Sequence, residues 1–177
     1  MISEKMRKEL NEQVNKEMYS GYLYMSMSAH CSDIGLDGFA NWFMVQYHEE
    51  MFHAMKIYGY LQDQSAKVEL KAIEKPKQSW ASAMEILKET LEHEKLVTAS
   101  IHALVKLADE ERDYASHTFL QWYVTEQVEE EKNASDIISR LELSGEGKGP
   151  GLFMIDKELA ARSVTIPTSF VGPLSEG

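Results

Sequence analysis

Apolar residues recur at alternating steps of three and four along four stretches of the chain, and each stripe is broken near its middle by acid, amide or imidazole. A stripe of that period is the face that a helix buries in a bundle. The first runs Leu10, Val14, Glu17, Gly21, Tyr24, and the second Phe39, Phe43, Gln46, Glu50, His53, Ile57, Tyr60. The third runs Met84, Leu87, Leu91, Glu94, Thr98, Ile101, Val105, and the fourth Leu120, Tyr123, Gln127, Glu130, Ala134, Ile137, Leu141. Sparse glycine and proline, in "SDIGLDG", "KAIEKPKQS" and "SGEGKGPG", separate the stretches. The pattern predicts helices over about 3–31, 37–64, 80–109 and 113–143, a short amphipathic fifth in "GLFMIDKELAAR", and almost no strand.

The interruptions share a height. Helix midpoints fall at about 17, 50, 94 and 128, and the interruptions are Glu17, Glu50 with His53, Glu94, and Gln127 with Glu130. The first and third connections are short, as antiparallel neighbours require. The second, over 65–79, reaches about 50 Å when extended, enough to run back along a helix of about 42 Å. The expected fold is therefore all-α: a four-helix bundle with one long crossover between helices 2 and 3, its polar groups in one central layer.

An internal repeat reinforces the layer. From Glu17 to Glu50 and His53 the steps are 33 and 36, and from Glu94 to Gln127 and Glu130 they are 33 and 36 again. Two hairpins built alike would meet about a pseudo-twofold axis, the way a two-metal site is assembled in such bundles. A single stripe glutamate more often snorkels to water from the stripe's margin, but a common height for all of them argues against that reading. Buried ion pairing is the stronger alternative, yet no Lys or Arg occupies a stripe position, so the carboxylates and the imidazole are expected to lack a protein cation. Glu50 and His53, three residues apart, point at one ion, and mixed oxygen and nitrogen donors suit iron, manganese or zinc. His30, His48, His93, His102 and His117 fall off the stripes and are expected on the solvated surface.

Composition narrows the setting. With 177 residues, 44% hydrophobic and 27% charged, the chain has the size and make-up of one globular domain. No apolar run approaches the roughly 18 residues of a membrane span, and "MISEKMRKEL" has no apolar core of a signal peptide, so a cytoplasmic location is expected. One cysteine, Cys31, excludes an internal disulfide framework and paired Cys-x-x-Cys metal modules. A net charge of -11 disfavours nucleic acid and anionic membrane as partners and favours cations, metal ions included.

The pieces "LNEQVNKEMYS", "HEEMFH", "HEKLVTASI", "FLQWYVTEQVEEEK" and "MIDKEL" resemble the bacterial non-haem ferritins, in register from about residue 5 to 160. The single long crossover is likewise the ferritin-like topology. The resemblance implies a ferroxidase that oxidises iron(II) with dioxygen and stores the ferric product as a mineral inside a homo-oligomeric shell of about two dozen subunits. It implies a diiron domain over 1–161; the tail over 162–177 is longer than the family usually has, is rich in Ser, Thr, Pro and Gly, and is expected to be flexible, with no assigned role. By the same resemblance Glu17, Glu50 and His53 bind one iron and Glu50, Glu94 and Glu130 a second, with Glu50 bridging and Gln127 close by. Tyr24 resembles the family's tyrosine beside the diiron centre; a redox role and a core tyrosine bonded to a ligand carboxylate both stay open. Matching glutamates in the family, Glu49, Glu126 and Glu129 with Glu130 reaching between, imply a third iron site toward the inner cavity; taken alone they read as a solvated acidic face. Gln127-x-x-Glu130 stands where bacterioferritins repeat Glu-x-x-His, which argues against a permanent diiron cofactor. Met51 stands where those proteins bind haem, but a helix methionine is more often packing and haem is not expected. The alternatives are a haem-containing bacterioferritin-like protein and a structural bundle without redox activity.

Overall fold

The computed structural model describes residues 1–145 and 149–164. It contains α1 (Glu4–Asp33), α2 (Asp37–Asp63), α3 (Ala83–Glu111), α4 (Tyr114–Leu143) and α5 (Gly149–Leu159), and no strand among the described residues. Local chemistry sets most of the ends. Ser3, Ser82 and Asp113 each accept a hydrogen bond from the backbone N–H three residues on, which satisfies one orphan donor of the helix they open. Glu85 reaches back from the first turn of α3 to accept from the Ala81 N–H at 2.6 Å. Arg112, at φ 55° in the left-handed region, closes α3, and Gly35, at φ +77°, lies in the turn between α1 and α2.

The start of α2 has no such local cap. Leu36 offers no side-chain acceptor, and the Asp156 carboxylate of α5 accepts from the Phe39 N–H at 3.0 Å instead. The approach needs a glycine, because a Cβ on Gly38 would stand 1.6 Å from the Asp156 carbonyl oxygen. Asn41 holds the end of α5 by donating to the carbonyls of Leu159 at 3.1 Å and Arg162 at 2.9 Å.

Two apolar cores lie on either side of the polar layer. One joins Tyr24 and Met27 of α1, Phe39 and Phe43 of α2, Ile86 and Leu87 of α3, Ile137 and Leu141 of α4, and Ile155 and Leu159 of α5. The other joins Met6, Leu10 and Val14 to Ile57 and Leu61, Ile101 and Leu104, and Leu120 and Tyr123. That distribution fixes the directions: α1 and α2 are antiparallel, as are α3 and α4, while α2 and α3 run the same way. The segment from Gln64 to Ser82 makes the return, pinned to α1 by Asn11, which donates to the Lys67 carbonyl and accepts from the Glu69 N–H, and by Ser26 on the Lys77 carbonyl. Trp80 is buried where the segment re-enters the first core, its indole N–H donating to Glu89 at 2.9 Å.

Stripe and structure differ on the third helix. Met84, Leu91, Thr98 and Val105 are only half-buried, whereas Ala83, Ile86, Thr90, Val97 and Leu104 are buried beside Leu87, Glu94 and Ile101. The buried face is turned by part of a helical step because α3 packs against both α1 and α4, and two neighbours widen a stripe beyond a seam. The fifth helix starts two residues earlier than "GLFMIDKELAAR" and ends at Leu159. Of the expected tail, only 162–164 lies within the described residues.

Candidate metal centre

The four helices bring Glu17, Glu50, His53, Glu94, Gln127 and Glu130 into one buried layer between the apolar cores. Glu17, Glu50 and Glu94 are each 1% exposed and Glu130 5%, so these carboxylates have given up hydration that only partners or a cation can replace. Glu17, Glu50 and His53 each offer a ligand atom, and those atoms lie within 4.8 Å of one another. Glu17 Oε2 and Glu50 Oε2 are buried and accept no hydrogen bond from the described residues. His53 Nδ1 lies 3.5 Å from Glu50 Oε2. Burial pushes His53 down to about 4, so its ring is neutral near pH 7 and its contact with Glu50 is not an ion pair.

The other two acids are held by their own bonds. Tyr24 OH donates to Glu94 Oε1, and Gln127 Nε2 donates to Glu94 Oε2 at 3.1 Å and to Thr98 Oγ1 at 3.2 Å. Glu130 Oε2 accepts from Gln46 Nε2 at 2.8 Å. Gln127 therefore serves Glu94 as a donor, and Tyr24 is buried and donates to the same carboxylate, an arrangement compatible with either of its expected roles. Tyr123 OH donates to the His53 carbonyl at 2.8 Å, and Trp122 stands edge-on to the His53 ring at 5.3 Å.

Burial dominates the electrostatics. It raises Glu17 to about 7 against the hydrogen bond from Gln13, and Glu130 to about 8, with the Glu94 charge adding to the rise. Glu50 lies well above the ordinary carboxylate range through burial and then the charges of Glu94, Glu17 and Glu130. Glu94 is raised by burial, with the bonds from Tyr24 and Gln127 opposing. Acids that resist ionisation only for want of positive charge, beside a neutral imidazole, are a donor set matched to divalent cations.

Cations do reach this layer, indirectly. Gln13 Nε2 donates to Glu17 Oε1 at 2.9 Å, Ser100 Oγ donates to Gln13 Oε1, and Lys16 Nζ donates to Ser100 Oγ at 2.7 Å. Across the bundle, Arg162 Nη1 donates to Gln46 Oε1, whose amide N–H binds Glu130. The expectation that the acids lack a protein cation thus holds for direct contacts among the described residues and fails further out, one residue removed at Glu130 and two at Glu17. Lys16 lies off the stripe, and Arg162 follows α5. Gln13 and Gln46 carried a signal: they are 33 residues apart, each one turn before Glu17 or Glu50, in step with the repeat.

Glu49, Glu126 and Glu129 lie beside the layer, Glu49 and Glu126 half-buried and Glu129 exposed. They feel one another: the charges of Glu129 and Glu126 add to the burial that raises Glu49. Glu126 Oε2 is 4.0 Å from His53 Nε2, beyond hydrogen-bond range. Glu49 Oε2 accepts from Arg162 Nη2 at 2.7 Å. Among the described residues, the trio of Glu17, Glu50 and His53 is the group drawn to ligand spacing; Glu49, Glu126 and Glu129 are not. Met51 is half-buried, its sulfur 3.4 Å from where a Cβ on Gly21 of α1 would stand. His48 and His102 are exposed as expected, but His93 is not a solvated residue: it bonds Ser20 Oγ at 2.8 Å and meets the Tyr24 ring edge-on. His30 is half-buried against Trp80. Both follow from α3 and the crossover covering α1, which a single-helix stripe does not register.

The family profile of the ferritin-like domain matches residues 7–144, all of the four-helix bundle and its crossover but the first turn of α1. The chain belongs to the ferritin family. It is similar to a probable bacterial non-heme ferritin-like protein of Haemophilus influenzae, 46% identical over 159 residues that cover 90% of this chain and 96% of the relative. The bacterial non-heme ferritin of Campylobacter jejuni is 41% identical, covering 89% of this chain and 93% of the relative. Among solved structures, the open pore ferritin of the hyperthermophilic archaeon Archaeoglobus fulgidus matches at 48% identity with a TM-score of 0.90, over 92% of this chain and 100% of that one. The all-α bundle with a short fifth helix is thus the ferritin fold, and iron storage is the function that membership supports. No helix among the described residues is long and apolar enough to cross a membrane.

Proposed function

We propose that the chain is an iron-storage ferritin subunit that oxidises iron(II) with dioxygen at the central layer and stores iron(III) as a mineral. The observation that carries this reading is the buried trio of Glu17, Glu50 and His53, at ligand spacing with two carboxylate oxygens unpartnered. Iron is the substrate. One ferrous ion binds Glu17, Glu50 and His53; the second binds Glu50, Glu94 and Glu130 once Tyr24, Gln127 and Gln46 let those carboxylates turn inward. Two ferrous ions give up one electron each, and dioxygen takes the pair with two protons and leaves as hydrogen peroxide. Hard carboxylate oxygens favour the ferric products. Protons held by the raised acids leave as the cations arrive, so loading releases acid. Glu49, Glu126 and Glu129, with Glu130 turning between, form a third site that takes ferric iron leaving the centre. The working assembly is a closed homo-oligomeric shell of 24 subunits, in the cytoplasm.

Anaerobic titration with ferrous salt, followed by admission of air, tests the reading. Two ferrous ions per subunit should bind, with proton release, and an oxygen-dependent rust colour should follow within seconds. A colourless protein with no ferrous binding would leave a structural bundle.

A further inference from the structure

Arg162 is the last cation before the end of the described chain, and its position is over-determined. Asn41 fixes its backbone carbonyl at 2.9 Å, the Trp42 ring lies 4.9 Å from its guanidinium carbon, and its two terminal nitrogens reach Gln46 and Glu49. The side chain is 21% exposed and Glu49 26%, so the pair is partly shielded from water. It stands in the wall of an open cleft of about 610 Å³ that Glu49, Glu129, Asp136, Glu158 and Arg140 also line, Arg140 being paired with Glu158. The cleft is open to solvent and leaves room for a cation beside the guanidinium. Glu49 belongs to the acidic trio that the proposed function makes a third iron site, and one of its oxygens already has a cation on it.

We infer that Arg162 is the built-in counter-cation of the third site: its guanidinium holds Glu49 while the site is empty, and must yield that carboxylate when a metal ion arrives. The inference rests on the third-site reading. The charges decide the direction. Glu129 shares the cleft with Glu49, and the Arg162 guanidinium, 2.7 Å from Glu49 Oε2, is the cation that offsets their like charge. A guanidinium brings one charge, a metal ion two or three, so metal wins at a cost set by the Glu49 bond. The release has a second consequence. Arg162 is bonded to Gln46 as well, and Gln46 holds Glu130, the carboxylate that turns between second and third sites. Freeing Arg162 frees Gln46 to let Glu130 turn. Arg162 is thus a positioning residue that couples occupancy of the outer site to the orientation of an inner ligand.

Zinc is the probe, because it does not oxidise. Crystals of the full chain and of Arg162→Ala, soaked at graded zinc and measured at the zinc edge, report each site's occupancy; calorimetry gives the matching affinities in solution. Arg162→Ala should fill the third site at zinc concentrations roughly 10-fold below those wild type needs, because the metal no longer displaces a charge-assisted hydrogen bond, with the Glu17, Glu50 and His53 site unchanged. Arg162→Lys, which keeps the charge but not the fork, should fall between the two. Arg162→Gln keeps a polar chain over Trp42 and should match Arg162→Ala even if the shorter residue loosens the end of α5. Third-site filling at equal zinc in all four proteins, or weaker filling without Arg162, overturns the counter-cation. Absence of a third zinc in every protein overturns the third site and the inference with it.

Discussion

The two sides of the polar layer are tied down by the same device built from different parts. At Glu17 a buried glutamine hands the carboxylate an N–H and takes its own bond from Ser100, which Lys16 donates to in turn. At Glu130 a second glutamine does the same, but the donor behind it is Arg162, which follows α5. The first tether is carried by α1 and α3, elements with long apolar faces in both cores. The second depends on an eleven-residue helix and three residues after it. The Glu17 side is therefore part of the bundle's frame, while the Glu130 side hangs on a peripheral element that is easier to release.

The largest expected effect tests what the two sides share. Glu50 lies between them as the proposed ligand of both irons, and Glu50→Ala should slow the rapid oxygen-dependent oxidation by more than about 100-fold, beyond the loss from any outer partner. The bundle should stay folded, since a buried carboxyl group with an unpartnered oxygen is removed. Stopped-flow absorbance checks the first statement and circular dichroism the second; wild-type oxidation in this variant would end the diiron reading.

Separating the sides comes next. Gln13→Leu takes the Gln13 hydrogen bond from Glu17 and should weaken the first metal about 10-fold; Gln46→Leu should do the same to the second and spare the first. Calorimetric titration with zinc distinguishes them. Equal losses at both metals in both variants would mean that the layer responds as one unit and that the two tethers are not independent.

Acidity sharpens the contrast less strongly. Glu17 at about 7 and Glu130 at about 8, against 4.5 unfolded, keep protons in the folded chain that the unfolded chain has lost, so the metal-free protein loses stability as pH rises through that range. His53 and His93, pushed down to about 4 from 6.5, act oppositely, gaining stability as pH rises between those values. Above about 6.5 the acids act alone. The melting temperature of the metal-free protein should therefore fall by several degrees from pH 6.5 to 8, and saturating zinc should remove the fall, because the metal replaces the protons. A metal-free melting curve that rises across that interval would contradict the raised acids.

The smallest effect is local. Gly38→Ala sets a Cβ against the Asp156 carbonyl, and overpacking of that kind costs about 1–3 kcal/mol, spent here on undocking α5. Hydrogen exchange should quicken in α5 and at the Phe39 N–H and remain slow in α1 and α3. Uniform quickening would show that α5 is not a separable element.

Some of this was legible in the chain alone. The four helices, the long return between the second and third, and Glu17, Glu50, His53, Glu94, Gln127 and Glu130 at one height all follow from apolar period and spacing, and all lie in the buried layer. A helix repeats its own geometry, so residues three, four and seven apart share a face whatever packs against it. That is why the stripe through Leu120 and Leu141 matched residue for residue. The third stripe did not, because its neighbours, not its period, decided which margin was covered.

What only the tertiary structure decided lies between elements far apart in sequence. Asp156 capping α2, His93 against Tyr24, and Arg162 on Gln46 and Glu49 join residues 69 to 117 positions apart, and no periodicity relates them. Their geometry depends on where α5 docks and how α1 and α3 face each other. Spacing along one helix placed the acids in a layer; the packing of the other elements determined which of them were tied to a cation and which, Glu17 and Glu50 foremost, kept an oxygen open.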